Sequence, residues 1–310
     1  MLVTRTPAEL PRALRGCCVA WGLFDGVHLG HQHVIRAALT DAFAHDAPSV
    51  ALTFDPHPLS VVRPERAPRL LQPLPQRLRV LADLGLTAAL VFPFTRDVAD
   101  WSGDEFIRRL VSGAGGLRSL SVGEGFQFGH NRSGDVPLLK RLGKELGFGV
   151  HVAPPVSLGG TVVSSSRIRQ CLREGNLEYV TELLGRPYAI SGVVRPGDRL
   201  GRQLGVPTAN LAIDGLELPP FGVYAARVRR LTQSTDHPSV LNVGVRPTLG
   251  KPDGELRFEV HLLDFTGNLY GEELEVTFVE FLRAEQRFES LDALREQIGR
   301  DQAAARVALG

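Results

Sequence analysis

The apolar residues change their period near residue 184. Before it, short unbroken apolar runs alternate with stretches in which apolar residues recur every three or four positions, as expected of buried strands and amphipathic helices. Val19 to Phe24, Ser49 to Phe54, Ala88 to Phe92 and Leu120 to Val122 predict strands. Helices are predicted from about Gly30, where Ile35, Ala38, Leu39 and Ala42 share a face, and over Leu74 to Leu84 and Val136 to Leu146. Ser102-Gly103-Asp104-Glu105 reads as a capping box opening another. Such alternation argues an α/β domain built on a doubly wound, Rossmann-like parallel sheet. Beyond Leu184 come short strands separated by Gly, Pro and Asp: Tyr188 to Arg195, Val223 to Arg229, Ser239 to Val243, Leu256 to Leu263 and Leu274 to Leu282. They predict a small antiparallel β-barrel or sandwich. Ser290 caps a closing helix in which Leu291, Leu294 and Ile298 predict a buried stripe. The reading is two domains, 1–184 and 185–310.

Composition narrows the class. With 310 residues there is enough chain for two cores. A net charge of +1 provides no overall field to favour nucleic acid or an anionic membrane. Three cysteines, two of them the adjacent Cys17 and Cys18, form neither a disulfide framework nor a zinc spacing, which favours a cytoplasmic protein. No apolar run approaches a membrane span, and Pro7, Pro11, Arg12 and Arg15 interrupt any signal-peptide core.

The densest chemistry in the first half is Gly22-Leu23-Phe24-Asp25-Gly26-Val27-His28-Leu29-Gly30-His31, at a junction from strand to helix. Helix N-terminal N–H groups favour an anion, Gly26 and Gly30 allow the main chain to approach it, and His28 and His31 add donors for charge developing on a phosphoryl group. A tight turn carrying two surface histidines is the competing reading. Asp55-Pro56-His57-Pro58 follows a strand and forms either a rigid site wall or a stiffened connection. Ser164-Ser165-Ser166 with Arg169 combines N-cap hydroxyls and a guanidinium suited to polyphosphate, or else an ordinary capped helix. Gly123-Glu124-Gly125-Phe126-Gln127-Phe128-Gly129 misplaces the third glycine of a dinucleotide fingerprint, and no Walker A lysine occurs.

In the second half, Gly197-Asp198-Arg199-Leu200-Gly201-Arg202 again suggests phosphate, with a polar hairpin as the alternative. Thr208 and Asn210, just after Pro207, offer oxygen ligands suited to Mg²⁺. Apolar residues alternate with Arg257, Glu259 and His261, so a carboxylate on that face is either a general base or a solvated charge.

Together these motifs resemble the prokaryotic bifunctional riboflavin kinase/FAD synthetase family over nearly the whole chain. The Gly22–His31 turn, Thr53-Phe54-Asp55-Pro56-His57-Pro58, Phe126-x-Phe128-Gly129 and Ser164-Ser165-Ser166-x-x-Arg169 match the adenylyltransferase half. Gly201-Arg202-x-Leu204-Gly205-x-Pro207-Thr208-Ala209-Asn210, Asn242-x-Gly244-x-Arg246-Pro247-Thr248, Glu259-x-His261-Leu262-Leu263-Asp264 and Leu282-Arg283-x-Glu285 match the kinase half. The resemblance implies phosphorylation of riboflavin by ATP in the second domain and adenylylation of FMN by a second ATP in the first, with Mg²⁺. It implies that Gly22, Phe24, Gly26, His28, Gly30, His31, the three serines and Arg169 hold ATP, with Asp55, His57 and Pro58 near FMN. In the kinase it makes Glu259 the base. Gly197, Gly201, Arg202, Pro207, Thr208 and Asn210 become nucleotide and metal residues, and Arg283, Glu285 and Phe288 flavin contacts. Three positions depart from the family: Gly125 where Asn or Asp is common, Leu23 at an often polar position, and Asn268 where Asp is frequent. Gly125 predicts weaker ATP binding. An adenylyltransferase for another phosphorylated substrate is disfavoured by the Pro207–Asn210 segment, and a flavin-binding protein without turnover by the retained His28, His31, Thr208, Asn210 and Glu259.

Overall fold

The computed structural model describes residues 1–197, 205–233, 235–248 and 251–310, with main chain only at 246–248 and 251–255. Gly201 and Arg202 therefore lie outside the described residues. The chain forms two compact units. The first comprises Met1–Arg69 and Leu74–Ser165; the second comprises Leu70–Pro73 and Ser166–Gly310.

The first unit is a parallel sheet of β1 (Leu2–Thr4), β2 (Cys17–Trp21), β3 (Ser49–Asp55), β4 (Ala88–Pro93), β5 (Leu117–Gly123) and β6 (Gly149–Ala153), in the order β1-β4-β3-β2-β5-β6. Helices α1 (Leu29–Ala44), α2 (Pro58–Val62), α3 (Leu74–Asp83), α4 (Arg96–Asp100), α5 (Gly103–Gly113) and α6 (Val136–Leu146) follow the strands. The strand sequences show how helices cover both faces. Val19, Trp21, Leu52, Phe54, Leu90 and Phe92 join Phe106, Ile107 and Leu110 of α5 and Leu139 and Leu142 of α6 in one core. The intervening Ala20, Ala51 and Ala89 face Val34, Ile35 and Ala38 of α1 and Leu81 of α3. Small residues on that face let α1 lie close to the sheet. The order reverses between β2 and β5, so the turn after β2 occupies the topological switch point where α/β sheets bind ligands.

After the hairpin β7 (Ser157–Leu158) and β8 (Thr161–Val162), the division between units falls inside α7 (Ser165–Arg173), which α8 (Leu177–Leu184) follows. The second unit is a closed barrel of β9 (Ala189–Arg195), β10 (Ala209–Ala212), β11 (Gly222–Arg230), β12 (Thr235–Thr248), β13 (Lys251–Leu262) and β14 (Glu273–Arg283), in the order β10-β13-β12-β11-β14-β9. Alternation works here: Phe258, Val260 and Leu262 of β13 and Leu274, Val276 and Phe278 of β14 are buried. Phe278 forms the aromatic hub, with ring centroids 5.2 Å from Tyr224, 5.7 Å from Tyr188 and 6.0 Å from Phe258. Helix α9 (Leu291–Leu309), capped by Ser290 Oγ accepting from Ala293 N at 3.1 Å, closes the unit against β11, β12 and β14.

Three local readings change. The first strand ends at Trp21, and Phe24 instead takes a positive φ of 52° inside the turn. Ser102 caps α5 through Glu105 N (3.1 Å), but the Glu105 carboxylate pairs with Arg109 at 2.8 Å, so only half of a capping box is made. Leu291 is 61% exposed, and the buried positions of α9 are Asp301, Ala305 and Leu309. Leu294 and Ile298 line a cavity instead.

Candidate functional sites

In the second unit the barrel register creates a row. Glu259 of β13 stands opposite Asn210 of β10 on one side and Asn242 of β12 on the other. Cross-strand partners on one face keep their Cβ atoms about 5 Å apart, so the three side chains converge. They line a cavity of about 240 Å³. Thr208, Arg257, His261, Arg283, Glu285 and Phe288 also line it, together with Asp301 and Gln302 of α9. Sequence alternation had put Glu259 on the polar face of β13; the structure shows that face walling a cavity instead of lying open to solvent.

Two glycines make room for polar side chains there. A Cβ on Gly197 would overlap the Asn210 amide, and one on Gly244 would overlap the Glu285 carboxylate. His261 donates from Nδ1 to the Pro207 carbonyl at 2.8 Å, bracing the segment that carries Thr208. Arg283 is already engaged: Nε and Nη2 donate to Asp301 at 2.8 and 2.7 Å, and Nη1 to Ala284 O at 3.0 Å. Its guanidinium carbon also lies 5.9 Å from the Phe288 ring centroid. The donor set of Thr208 hydroxyl, Asn210 amide oxygen and Glu259 carboxylate is made of hard oxygens. It fits Mg²⁺, which takes few protein ligands. Among the described residues no group of three or more His, Cys, Asp or Glu could hold a metal.

In the first unit, the turn between β2 and α1 is held from several elements. The Leu23 carbonyl accepts from Thr53 Oγ1 of β3 (3.0 Å) and Arg77 Nη1 of α3 (2.8 Å). The Asp25 carbonyl accepts from Ser165 Oγ at 2.9 Å, and the Val27 carbonyl from Gln32 Nε2 at 3.0 Å. These braces coincide with unusual backbone. Phe24, Gly26 and Val27 have φ of 52°, 83° and 42°, which a bulky or β-branched residue adopts only where its surroundings impose it. The Phe24 side chain is fully buried, so it shapes the turn from below.

His28 is the N-cap of α1, and its Nδ1 accepts the His31 N–H at 3.3 Å. Its neutral ring therefore carries the proton on Nε2. The His28 and His31 rings stack with centroids 3.7 Å apart. Burial, then His28 and Arg77, lower the His31 pKa well below the usual histidine value. A Cβ on Gly30 would approach the His28 ring at 3.1 Å, and one on Gly22 the Phe24 ring at 3.0 Å. On the loop after β3, His57 caps α2 by accepting Leu59 N at 3.1 Å, Pro58 begins that helix, and Asp55 lies 3.6 Å from Arg5. Ser165 is thus brought to the turn. Ser166 and Arg169 fall on the part of α7 assigned to the second unit. A Cβ at Gly125 meets nothing within 4 Å, so no steric demand excludes Asn there. Arg77 and Asp301 escaped the motifs because each bonds a partner distant in sequence, and Gln302 because it only lines the cavity.

A family model described as FAD synthetase matches residues 10–167, and one described as riboflavin kinase matches residues 184–309. A bifunctional riboflavin kinase/FMN adenylyltransferase of Pseudomonas fluorescens is 41% identical over 94% of this chain and 93% of its own. Its counterpart from Escherichia coli K12 is 39% identical over 95% and 93%. A solved Streptococcus pneumoniae structure described as a macrolide-efflux protein covers 98% of both chains with a TM-score of 0.82 and 29% identity. No helix among the described residues is long and apolar enough to cross a membrane. The chain belongs to the bifunctional riboflavin kinase/FMN adenylyltransferase family, FAD synthetase half first, and is an enzyme that phosphorylates riboflavin to FMN and adenylylates FMN to FAD.

Proposed function

We propose that the two reactions divide at residues 184/185, with the Asn210–Glu259–Asn242 row serving the kinase and the Gly22–His31 turn serving the adenylyltransferase. Glu259 accepts the proton of the riboflavin 5′-hydroxyl as its oxygen attacks the γ-phosphorus of ATP and ADP departs. The observation carrying this assignment is the register that sets Glu259 between two asparagines on one cavity wall. Thr208 and Asn210 hold Mg²⁺ and phosphates. The ion, when bound, neutralises charge on the β- and γ-phosphates, leaving the protein mainly a positioning task. Pro207 and Gly197 shape this segment, and Glu285, Phe288 and Arg283 border the flavin.

In the first unit, a phosphate oxygen of FMN attacks the α-phosphorus of ATP, and pyrophosphate leaves. That nucleophile is already ionised near neutral pH and needs no strong base. His28, through its Nε2–H, joins His31, Ser164 and Ser165 in stabilising negative charge on the phosphates, while Asp55, His57 and Pro58 border the FMN. Glu259→Gln tests the division. Phosphorylation of riboflavin should fall roughly 10²–10⁴-fold, the usual weight of a general base, while supplied FMN is still converted to FAD at the wild-type rate. Equal loss of both activities would overturn the two-site assignment.

A further inference from the structure

Arg77 is a buried cation that neither reaction as described employs. It is 3% exposed, its Nη1 donates to the Leu23 carbonyl at 2.8 Å, and its Nε is buried without a hydrogen-bond partner among the described residues. An orphaned buried donor is destabilising, and desolvating a guanidinium adds to that. Burial lowers its pKa, while the charges of Asp25 in the turn and Asp55 on the neighbouring loop raise it. A neutral side chain would fill this interior position at less cost. What the cation provides is a long-range brace: Arg77 is 54 positions from Leu23, and its donor meets the same carbonyl as Thr53 Oγ1, immediately before the positive-φ residue Phe24. A peptide plane held from two elements cannot relax toward ordinary φ, ψ values, and that rotation would displace the N–H groups at the start of α1.

We propose that Arg77 is a positioning residue for adenylyl transfer, holding the Leu23 peptide so that the Gly22–His31 turn is preshaped for the ATP phosphates. The inference rests on that turn being the adenylyltransferase nucleotide site. Misplacing a binding element by about 1 Å can cost up to about 10²-fold. Arg77→Met should therefore raise the KM for ATP in FMN adenylylation at least about tenfold while the KM for FMN stays within about twofold. Riboflavin phosphorylation by the same polypeptide should be unchanged, which provides an internal measure of folded protein. Thr53→Val removes the other donor to Leu23 and should shift the ATP KM in the same direction; because both act on one carbonyl, the double variant should show less than the product of the two single effects.

An unchanged ATP KM, with kcat reduced only in proportion to folded protein, would overturn the proposal and leave Arg77 a merely structural group. Should Arg77→Met fail to fold, Thr53→Val alone decides, and a wild-type ATP KM in that variant likewise overturns it. His31→Ala separates this failure from that of the underlying site: if it abolishes FAD formation while the brace variants do nothing, the positioning role alone is wrong. If His31→Ala also leaves adenylylation intact, the turn is not the nucleotide site.

Discussion

Leu71 lies within the stretch matched by the FAD synthetase model, yet physically it belongs to the other unit. Leu70 N donates to Gly215 O (2.9 Å) and Glu217 N to Leu70 O (2.8 Å), a two-way main-chain bridge within the barrel unit. Tyr188 Oη, at the entry to β9, lies 3.2 Å from Leu71 O and 2.8 Å from Glu217 O, and the Leu71 side chain is 0% exposed. Leu71→Ala deletes a fully buried side chain and leaves those main-chain bonds in place. Substitutions of this kind cost about 2–5 kcal/mol, and the retained bonds favour a value of about 3 kcal/mol. For a unit of about 150 residues, each kcal/mol lowers Tm by about 2–4 °C, giving a drop of about 6–12 °C.

The assay uses the two activities as separate reporters. Aliquots of the full chain are heated, cooled, and tested for riboflavin phosphorylation and, separately, for conversion of supplied FMN to FAD. The half-inactivation temperature of the kinase should fall by the calculated amount, and that of the adenylyltransferase by clearly less. A larger fall in adenylyltransferase activity, or equal falls, would refute the assignment of this strap to the kinase unit.

Gly197→Ala should force the Asn210 amide from its place, because the new Cβ and Asn210 Nδ2 would overlap. Riboflavin phosphorylation should lose at least about tenfold in kcat/KM with a raised Mg²⁺ requirement, checked by titrating Mg²⁺, and an unchanged Mg²⁺ dependence would show that the glycine serves another purpose. For His31, the folded pKa lies well below the ordinary 6.5, so between the two values the unfolded chain binds a proton that the native one does not. Stability from this group is therefore fully present above about pH 6.5 and is lost as pH falls below it, at up to about 1.4 kcal/mol per pH unit. Urea unfolding of wild type and His31→Gln between pH 7.5 and 5.5 measures the difference, which should shrink as the pH is lowered.

Elements with local causes were legible. Helix α6 spans Val136–Leu146 as its periodicity predicts, because Asp135 Oδ1 accepts Leu138 N at 2.9 Å and Gly147 ends it in the left-handed region. Strands buried on both faces, such as β3 and β4, read as continuous apolar runs. By contrast β10, only Ala209–Ala212, reads as a polar hairpin because it is four residues long and Asn210 lines the cavity. The edge strand β1 is three residues long, too short for any alternation to show. Phe24 looked like the end of a strand because its burial is genuine, but its conformation is imposed by residues from β3, α3 and α7. The apolar spacing of α9 predicted one stripe, whereas the helix serves two neighbours: Ala305 and Leu309 pack on the barrel, and Leu294, Ile298 and Asp301 wall the cavity.

The two candidate sites solve the positioning problem differently. In the kinase, the row of Asn210, Glu259 and Asn242 lies on paired strands of a closed barrel, whose register leaves no independent freedom to any member. A one-residue slip of β13 would exchange Glu259 for an apolar neighbour, so the burial of Phe258 and Val260 that fixes the fold also fixes Glu259, the base we propose. The Gly22–His31 turn, which we propose serves the adenylyltransferase, is held without such a ladder. Its geometry depends on separate side-chain braces from Thr53, Arg77, Ser165 and Gln32 acting on a backbone that includes positive φ at Phe24 and Val27. Substitutions remote from the nucleotide should therefore disturb FAD formation through turn geometry, whereas in the barrel they should act on kinase stability before they move Glu259.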